Sequence, residues 1–214
     1  MTSLSELKDL PKQIPLFDLP GVLLLPRARL PAQIQETKYL KLLVDVMGRE
    51  RYVGFIQPQG DEDDAPLFTT GCLGKVTTFV DKEDGSFFVI FTGLIRFKLQ
   101  ETFTDPKGYR CAHVSYEPFL LDLYHEAPSI KNREYLLQLL QLYFKHTPLH
   151  TQWEEITRTS DENLLSLLTM IGPFEPIEKQ AILETSTLED RSQLIGAFME
   201  MATLTPLSKI ERAH

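Results

Sequence analysis

The feature that most constrains the fold of this chain is the stretch over residues 67–99, LFTTGCLGKVTTFVDKEDGSFFVIFTGLIRFKL. Two β-rich arms flank Asp84-Gly85, a dipeptide that supplies the positive φ angles of a tight hairpin turn. After Gly93 apolar and polar residues alternate with the period of a half-buried strand. Gly71, Gly74 and Gly93 lie inside strand-like sequence, where glycine indicates bulges or corners. The stretch therefore predicts a strongly curved, closed or nearly closed β-structure.

The rest of the first half predicts further strands and one helix. Short apolar runs over residues 14–17 and 22–25 are bordered by prolines. Proline cannot donate a ladder hydrogen bond, so it belongs at the start, edge or bend of a strand. A helical period covers residues 36–48, whose final glycine is suited to end a helix. Strand patterns return over residues 52–57 and 109–116.

The second half predicts helices. Ser129 is suited to cap the first of them, and Thr187 with Asp190 has the spacing of a capping box at the start of the last. Helical segments joined by short breaks favour a compact bundle. The predicted helices cover residues 129–145, 161–171, 176–184 and 187–201.

These patterns predict an α+β chain with two parts of different character. A β-rich subdomain with one helix covers residues 1–118, and a bundle of about four helices covers residues 129–214. Residues 119–128 form the predicted junction. A chain of 214 residues is long enough to bury one substantial core or two modest ones.

Composition narrows the classes of partner and compartment. The net charge is −8, of which residues 1–118 carry −2 and residues 119–214 carry −6. This acidity argues against nucleic acid, which usually needs a basic stripe. The N-terminus lacks the features of a signal peptide, and no apolar run is long enough to span a membrane, so we expect a cytoplasmic chain. Cys72 and Cys111 are expected to be reduced thiols, with a disulfide between them as the open alternative.

Partial matches to catalytic motifs are weak. Gly74-Lys75 approaches a phosphate-binding loop, but Thr69 stands in place of the first glycine and Val76 in place of the hydroxyl residue. Residues 71–74 have the GxxG pattern of an RNA-binding KH loop, although their strand context favours a β-corner. Ser5-Glu6-Leu7-Lys8 has Ser-x-x-Lys spacing without any companion motif.

Metal-binding patterns are equally weak. His146 and His150 have the i, i+4 spacing of a helical metal pair, but Pro148 between them should break the helix. The acidic run over residues 61–64 lacks the glycine that the sharp turn of a calcium loop needs, and is typical of a solvated loop. The sequence therefore predicts no catalytic residue, no cofactor and no metal site.

Two surface features allow more than one interpretation. The nearly continuous apolar run over residues 87–91, with Phe79, requires either that both faces of the sheet are covered or that one face is an exposed apolar patch. A locally basic region could bind an acidic partner if its side chains converge, or be ordinary surface if they do not. Its members are Arg27, Arg29, Lys38, Lys41, Arg49 and Arg51.

A series of short motifs occurs along the chain in a specific order. An apolar-Pro-Leu strand is followed by an apolar run closed by Pro26, then by a strand ending in Gln57. A Gly-x-x-Arg pattern follows over residues 93–96, and a Lys-Gln-x-x-Leu-Glu run begins at Lys179. In order and spacing, over roughly residues 12–202, these motifs resemble the N-terminal domain of the Lon protease family.

The resemblance implies a PUA-like β-barrel with one helix, followed by the helical bundle, and a role in recognising substrate proteins. In Lon proteases this region precedes an ATPase module and a Ser-Lys protease module, so the resemblance implies a stand-alone substrate-binding domain. The chain departs from the family after Pro26, where Arg27-Ala28-Arg29 replaces the usual glycine and apolar run.

The leading hypothesis is a non-catalytic protein-binding module that captures polypeptide segments or docks on a protein partner. The alternative is a nucleic-acid or small-ligand binder of the PUA-like barrel class, against which the acidic charge argues. An enzyme is the third class, and the sequence offers no credible pair of nucleophile and base. The sequence determines neither the binding surface, nor the client, nor the oligomeric state.

Overall fold

The computed structural model describes residues 10–60, 62, 64–124, 129–144, 153–172 and 174–204. The chain divides into two compact units, Met1–Glu126 and Ala127–His214. In the described part of the chain no helix is both long and apolar enough to cross a membrane.

The first unit consists of six strands, one α-helix and a 3-10 helix. Helix α1 covers Thr37–Met47 and ends at Gly48, as the sequence predicts. The 3-10 helix covers Glu117–Leu123. The strands are β1 Gln13–Phe17, β2 Arg29–Ile34, β3 Tyr52–Phe55, β4 Thr70–Asp81, β5 Phe87–Thr104 and β6 Arg110–Ser115.

Five of these strands close into a ring. β4 pairs antiparallel with β3 and β5, β3 runs parallel to β1, and β1 pairs antiparallel with β6, which returns to the second half of β5. β2 is added outside the ring, along the first half of β5. This barrel-like ring with one helix, followed in the chain by a helical bundle, confirms the predicted α+β class.

Two apolar clusters stabilise the first unit. One fills the ring with buried side chains that include Leu16, Leu73, Ile95 and Phe97, and Tyr52 of β3 packs against it. The other lies on the outer side of the ring, where Phe17 stacks on Tyr39 of α1 with ring centroids 4.5 Å apart. Its aromatic members are Phe17, Tyr39, Phe55 and Phe91.

The prediction of a strand over residues 22–25 is wrong. Leu23, Leu24 and Leu25 are buried without joining the sheet. The segment ends in a turn, where the Ala28 N–H donates to the Leu25 carbonyl, and it lies so close to β5 that a Cβ on Gly93 would overlap that carbonyl oxygen. Gly93 also lies beside a β-bulge, as the sequence predicts, since the β4–β5 register shifts between Leu73 and Gly74.

The hairpin between β4 and β5 is longer than a two-residue turn. The Gly85 N–H donates to the Lys82 carbonyl, and Gly85 alone takes a positive φ, +79°. Asp84 keeps a negative φ and instead accepts hydrogen bonds from the backbone N–H and the hydroxyl of Ser86. The turn position is therefore confirmed, with glycine at its one left-handed position.

The second unit is helical. Residues 161–171 and 176–184 are helical as predicted, and the Thr187 hydroxyl caps the last helix by accepting from the Asp190 N–H at 3.0 Å. Ser129 is not a cap, because the first helix starts at Arg133. A short helix at Trp153–Arg158 was not predicted. The described helices are α2 Arg133–Phe144, α3 Trp153–Arg158, α4 Asp161–Ile171, α5 Pro176–Glu184 and α6 Leu188–Leu204.

Leucines hold this second unit together. Leu136, Leu140, Leu164, Leu165 and Leu168 are buried in one apolar cluster with Ile182 and Ile195 from the last two helices, and Leu137 and Leu167 pack against it while partly buried. These leucines therefore form the core of the second unit and not an interaction surface.

Candidate functional site

A three-stranded extension of the sheet projects from the ring. It consists of β2, the first half of β5 and the second half of β4, and we call it the extension. Its register places Gln33 opposite Phe88 and Phe88 opposite Val80. The next row places Pro31 opposite Ile90. Residues directly opposite each other in a sheet point to the same side, so the extension has two faces of defined composition.

One face of the extension is part of the core. Val89 and Phe91 are completely buried there. The Phe91 ring lies 4.9 Å from the ring of Phe55 and 5.3 Å from that of Phe17, measured between centroids. This face therefore anchors the extension to the outer aromatic cluster of the ring.

The other face is partly open to solvent, and we call it the open face. Val80 is 47% exposed, Pro31 is exposed, and Phe88 and Ile90 are half-buried. These four residues form an apolar strip across three hydrogen-bonded strands. The apolar run over residues 87–91 thus combines both interpretations left open by the sequence, since Val89 and Phe91 are covered whereas Phe87, Phe88 and Ile90 are partly exposed.

The open face is framed by cations. Arg29 and Lys75 both lie opposite Thr92, one on each side, at the end of the strip nearer the ring. Lys82 lies at the hairpin end, with its Nζ 6.0 Å from the centroid of the Phe88 ring and 3.4 Å from Oε1 of Gln33. The strand positions that share this face hold no carboxylate, since Asp81 lies opposite Phe87 on the other face.

The edge of β2 is less open than the face. The Gly93 N–H donates to the Ala28 carbonyl, so the alternation of an antiparallel ladder turns the backbone groups of Arg29, Pro31 and Gln33 away from β5. Pro31 has no N–H to offer at the centre of that edge. The β2 edge therefore offers a ligand an interrupted row of backbone hydrogen-bonding groups, and the open face is the better candidate for a binding surface.

A buried ion pair fixes the end of the first unit. Asp122, on the 3-10 helix, accepts hydrogen bonds from the backbone N–H, Nε and Nη2 of Arg96 at 3.0, 2.9 and 2.8 Å. The guanidinium also lies 4.7 Å from the centroid of the Phe119 ring, and Arg27 donates to the Asp122 carbonyl. Both charged side chains are less than a tenth exposed. The alternation of polar and apolar residues in β5 predicts that Arg96 lies on a solvent-exposed face. The 3-10 helix covers the Arg96 side chain instead.

The basic residues of the sequence do not form one patch. Arg27 binds the 3-10 helix, Lys38 lies 3.9 Å from Asp18, and Arg29 lies on the open face. Arg49 and Arg51 share the lining of a cavity of about 230 Å³ between β1, the end of α1 and the turn before β6. The interpretation as dispersed surface is therefore the correct one for most of them.

The thiol that lines this cavity is unreactive at neutral pH. Burial raises the pKa of the Cys111 thiol to about 11, so the thiol is protonated at neutral pH and a poor nucleophile. Hydrogen bonds from Lys107 and Tyr109 hold the pKa of Asp45 below its usual range. Arg49 and Arg51 share the lining with Asp45, Glu50 and Asp105, which leaves no excess of positive charge.

The remaining sequence candidates do not assemble a site. Gly71-Cys72-Leu73-Gly74 and Lys75 lie within β4, which is incompatible with a phosphate-binding or KH loop. Cys72 and Cys111 are free and buried. Ser5, Lys8, His146 and His150 lie outside the described residues, as do Asp61 and Asp63 of the acidic run. Among the residues that the structure describes, no group of three or more His, Cys, Asp or Glu could hold a metal ion.

The ring of five strands, the added strand and the helical unit together define a known class of domain. The family model described as the ATP-dependent protease La (LON) substrate-binding domain matches residues 13–200. The chain therefore belongs to the Lon substrate-binding domain family, as the order of its short motifs indicates.

Relatives and solved structures agree with this assignment. The chain is 25% identical over 195 residues to Lon protease of Anaeromyxobacter dehalogenans, and 33% identical over 98 residues to Lon protease of Parabacteroides distasonis. The first alignment covers 88% of this chain but 23% of the relative, and the second 44% and 12%. The chain thus spans about a quarter of the length of the first relative.

Two solved structures of Lon N-terminal domains share the fold of this chain. The Lon N-terminal domain protein from Xanthomonas campestris superposes with a TM-score of 0.60 at 18% identity, over 91% of this chain and 99% of that one. The N-terminal domain of Lon protease from the Mycobacterium avium complex gives 0.61 at 15% identity, over 88% and 98%. At these identities the superpositions establish the fold of the chain.

Proposed function

We propose that this chain is a non-catalytic polypeptide-binding module, which captures segments of client proteins or docks on a protein partner through the open face. The observation that carries the proposal is the apolar strip of Pro31, Val80, Phe88 and Ile90 on a hydrogen-bonded sheet. Membership of a substrate-binding domain family supports it. A partly exposed apolar strip on a rigid scaffold suits peptide recognition, because little order has to be created on binding.

The strip can supply modest affinity. Full burial of a side chain the size of Val or Phe is worth about 1.5–3 kcal/mol; Val80 is 47% exposed, and Phe88 is less exposed than Val80. Each residue therefore offers about 1 kcal/mol to a ligand, or roughly a fivefold change in affinity. Such contacts give complexes that form and release readily, which suits a module that samples many segments.

The test is binding of a fluorescently labelled, permanently unfolded polypeptide, measured by anisotropy. We expect Val80→Gln with Phe88→Gln to weaken binding by about tenfold or more, since both apolar contacts are lost. Val44→Gln is the matched control, because Val44 is 60% exposed on α1, away from the extension. Circular dichroism should show that the variants remain folded.

Three outcomes would overturn the proposal. The first is the absence of polypeptide binding by the unmodified chain, and the second is equal weakening by the control and the double variant. The third is a tight, salt-sensitive complex with RNA, or a tight small-molecule complex, in place of polypeptide binding, which would support the alternative class. Peptide cleavage by the purified chain without ATP would contradict its non-catalytic character.

A further inference from the structure

We infer that the open face selects extended polypeptide segments in which an apolar residue is flanked, two positions away on each side, by carboxylates: acidic-x-apolar-x-acidic. The inference rests on the proposed function and names the class of segment that the same surface would take. It follows from the charges at the two ends of the apolar strip and from the distance between them.

The charges are arranged at opposite ends of the strip. Arg29 and Lys75 lie opposite Thr92 at the ring end, and Lys82 reaches over Phe88 at the hairpin end. Between these rows lies Ile90, opposite Pro31 on one side and Thr78 on the other. A bound segment would therefore meet positive charge, then apolar surface, then positive charge.

The spacing fits an extended chain. Phe88 and Thr92 are four residues apart on β5, which corresponds to about 14 Å along a strand. In an extended ligand lying along β5, side chains i, i+2 and i+4 point to the same side and span the same distance. Carboxylates at i and i+4 would thus meet the two cationic ends while the side chain at i+2 lies on Ile90.

This surface has the opposite sign to the chain as a whole. The net charge is −8, and yet the strand positions of the open face carry cations and no carboxylate. At physiological salt, exposed charges are screened beyond about 8 Å, so the charges beside the strip decide the preference of a bound segment. These charges are the three cations and, in the turn next to Lys82, the carboxylates of Glu83 and Asp84, of which Asp84 accepts hydrogen bonds from Ser86. The distant acidic residues would reduce only the rate at which acidic segments approach.

The experiment compares short labelled peptides by fluorescence anisotropy. The first peptide carries Asp-x-Phe-x-Asp in a neutral background, the second Lys-x-Phe-x-Lys, and the third has both Asp residues adjacent on one side of Phe. We expect the first to bind at least about tenfold more tightly than the second, and about threefold more tightly than the third. The advantage over the second should shrink as salt is raised.

Charge-reversed variants provide the decisive comparison. Arg29→Glu with Lys82→Glu should invert the preference, so that the Lys peptide binds more tightly than the Asp peptide. Lys12→Glu with Lys41→Glu is the matched control, since both residues are exposed in the same unit and outside the extension. The control should keep the original order of affinities.

The outcomes separate this inference from the proposed function. If all three peptides bind equally, and Val80→Gln with Phe88→Gln still weakens them, the charge preference is wrong while polypeptide binding at the open face stands. If the control variant inverts the preference as well, net charge and not the open face is responsible, and the inference is again wrong. If no peptide and no unfolded polypeptide binds, both fail together.

Discussion

The buried pair of Arg96 and Asp122 gives the sharpest prediction about stability. Asp122→Ala removes the carboxylate that accepts three hydrogen bonds from Arg96, while leaving the guanidinium under the 3-10 helix. Removing one partner of a buried ion pair costs about 3–5 kcal/mol, because the other charge remains desolvated. We therefore expect Asp122→Ala to destabilise the first unit by that amount.

A second variant distinguishes pairing from mere packing. Arg96→Met combined with Asp122→Leu replaces both charges by apolar groups of similar size, which is often nearly neutral. The Arg96 N–H loses its acceptor at 3.0 Å, which costs about 1–3 kcal/mol. The double variant should accordingly be more stable than Asp122→Ala, although less stable than the unmodified chain.

The assay is hydrogen exchange of the β5 amides at increasing urea, because two compact units need not unfold in one transition. Exchange of the amides over Glu117–Leu123 reports separately on release of the 3-10 helix. A loss below about 1 kcal/mol in Asp122→Ala, or a double variant that is the less stable of the two, would refute the reasoning.

Three further predictions concern packing, capping and ionisation. Gly93→Ala should destabilise the first unit by more than about 2 kcal/mol in urea denaturation, because its Cβ would overlap the Leu25 carbonyl, whereas Gly48→Ala, with 3.6 Å to its nearest neighbour, should be tolerated. Thr187→Ala should lower the stability of the second unit by about 1 kcal/mol in the same assay, and Thr187→Ser should restore it; equal stability of the two variants would exclude a capping role. Cys111, with its pKa raised to about 11 from 9.0, should react with iodoacetamide at pH 8 roughly a hundredfold more slowly than a model thiol, as followed by peptide mass spectrometry. Because burial raises the pKa of this thiol, the contribution of the protonated thiol to the stability of the first unit is complete below about pH 9 and is lost as the pH rises toward 11. An alkylation rate equal to that of the model thiol would contradict both the slow reaction and this pH dependence.

Local sequence patterns predicted most of the helices and the central hairpin. The capping residue Thr187, Pro176 at the first position of α5 and Gly85 in the turn all act through their immediate neighbours. Their conformational preferences do not depend on distant parts of the chain, so they could be recognised without knowledge of the fold.

Features that depend on distant partners could not be predicted from these patterns. Arg96 occupies a polar position in an alternating strand, and it is buried because a carboxylate 26 residues later covers it. Strand β2 carries the alternation of a strand, but the proline at its centre obscured the pattern. The apolar run over residues 22–25 reads as a strand, yet its backbone is directed at Gly93 and not into a ladder.

The candidate surface was predictable only in part. The aromatic run over residues 87–91 pointed to it, but the decision between a covered and an exposed face required the neighbours of β5. Val80 and Pro31 come from two other strands, and their position beside Phe88 and Ile90 follows from pairing register alone. Register across three strands is a long-range property, and no local periodicity in one strand specifies it.

The separation between the two faces of the extension has a consequence for how this domain can diversify. Val89 and Phe91 belong to the buried core, whereas Pro31, Val80, Phe88 and Ile90 do not. Substitutions at the second set can therefore accumulate with little loss of folding stability, because they leave the interior unchanged. Neighbouring residues of one strand therefore differ in how far they can change, so the chemistry of the open face can be altered while the scaffold beneath it is retained.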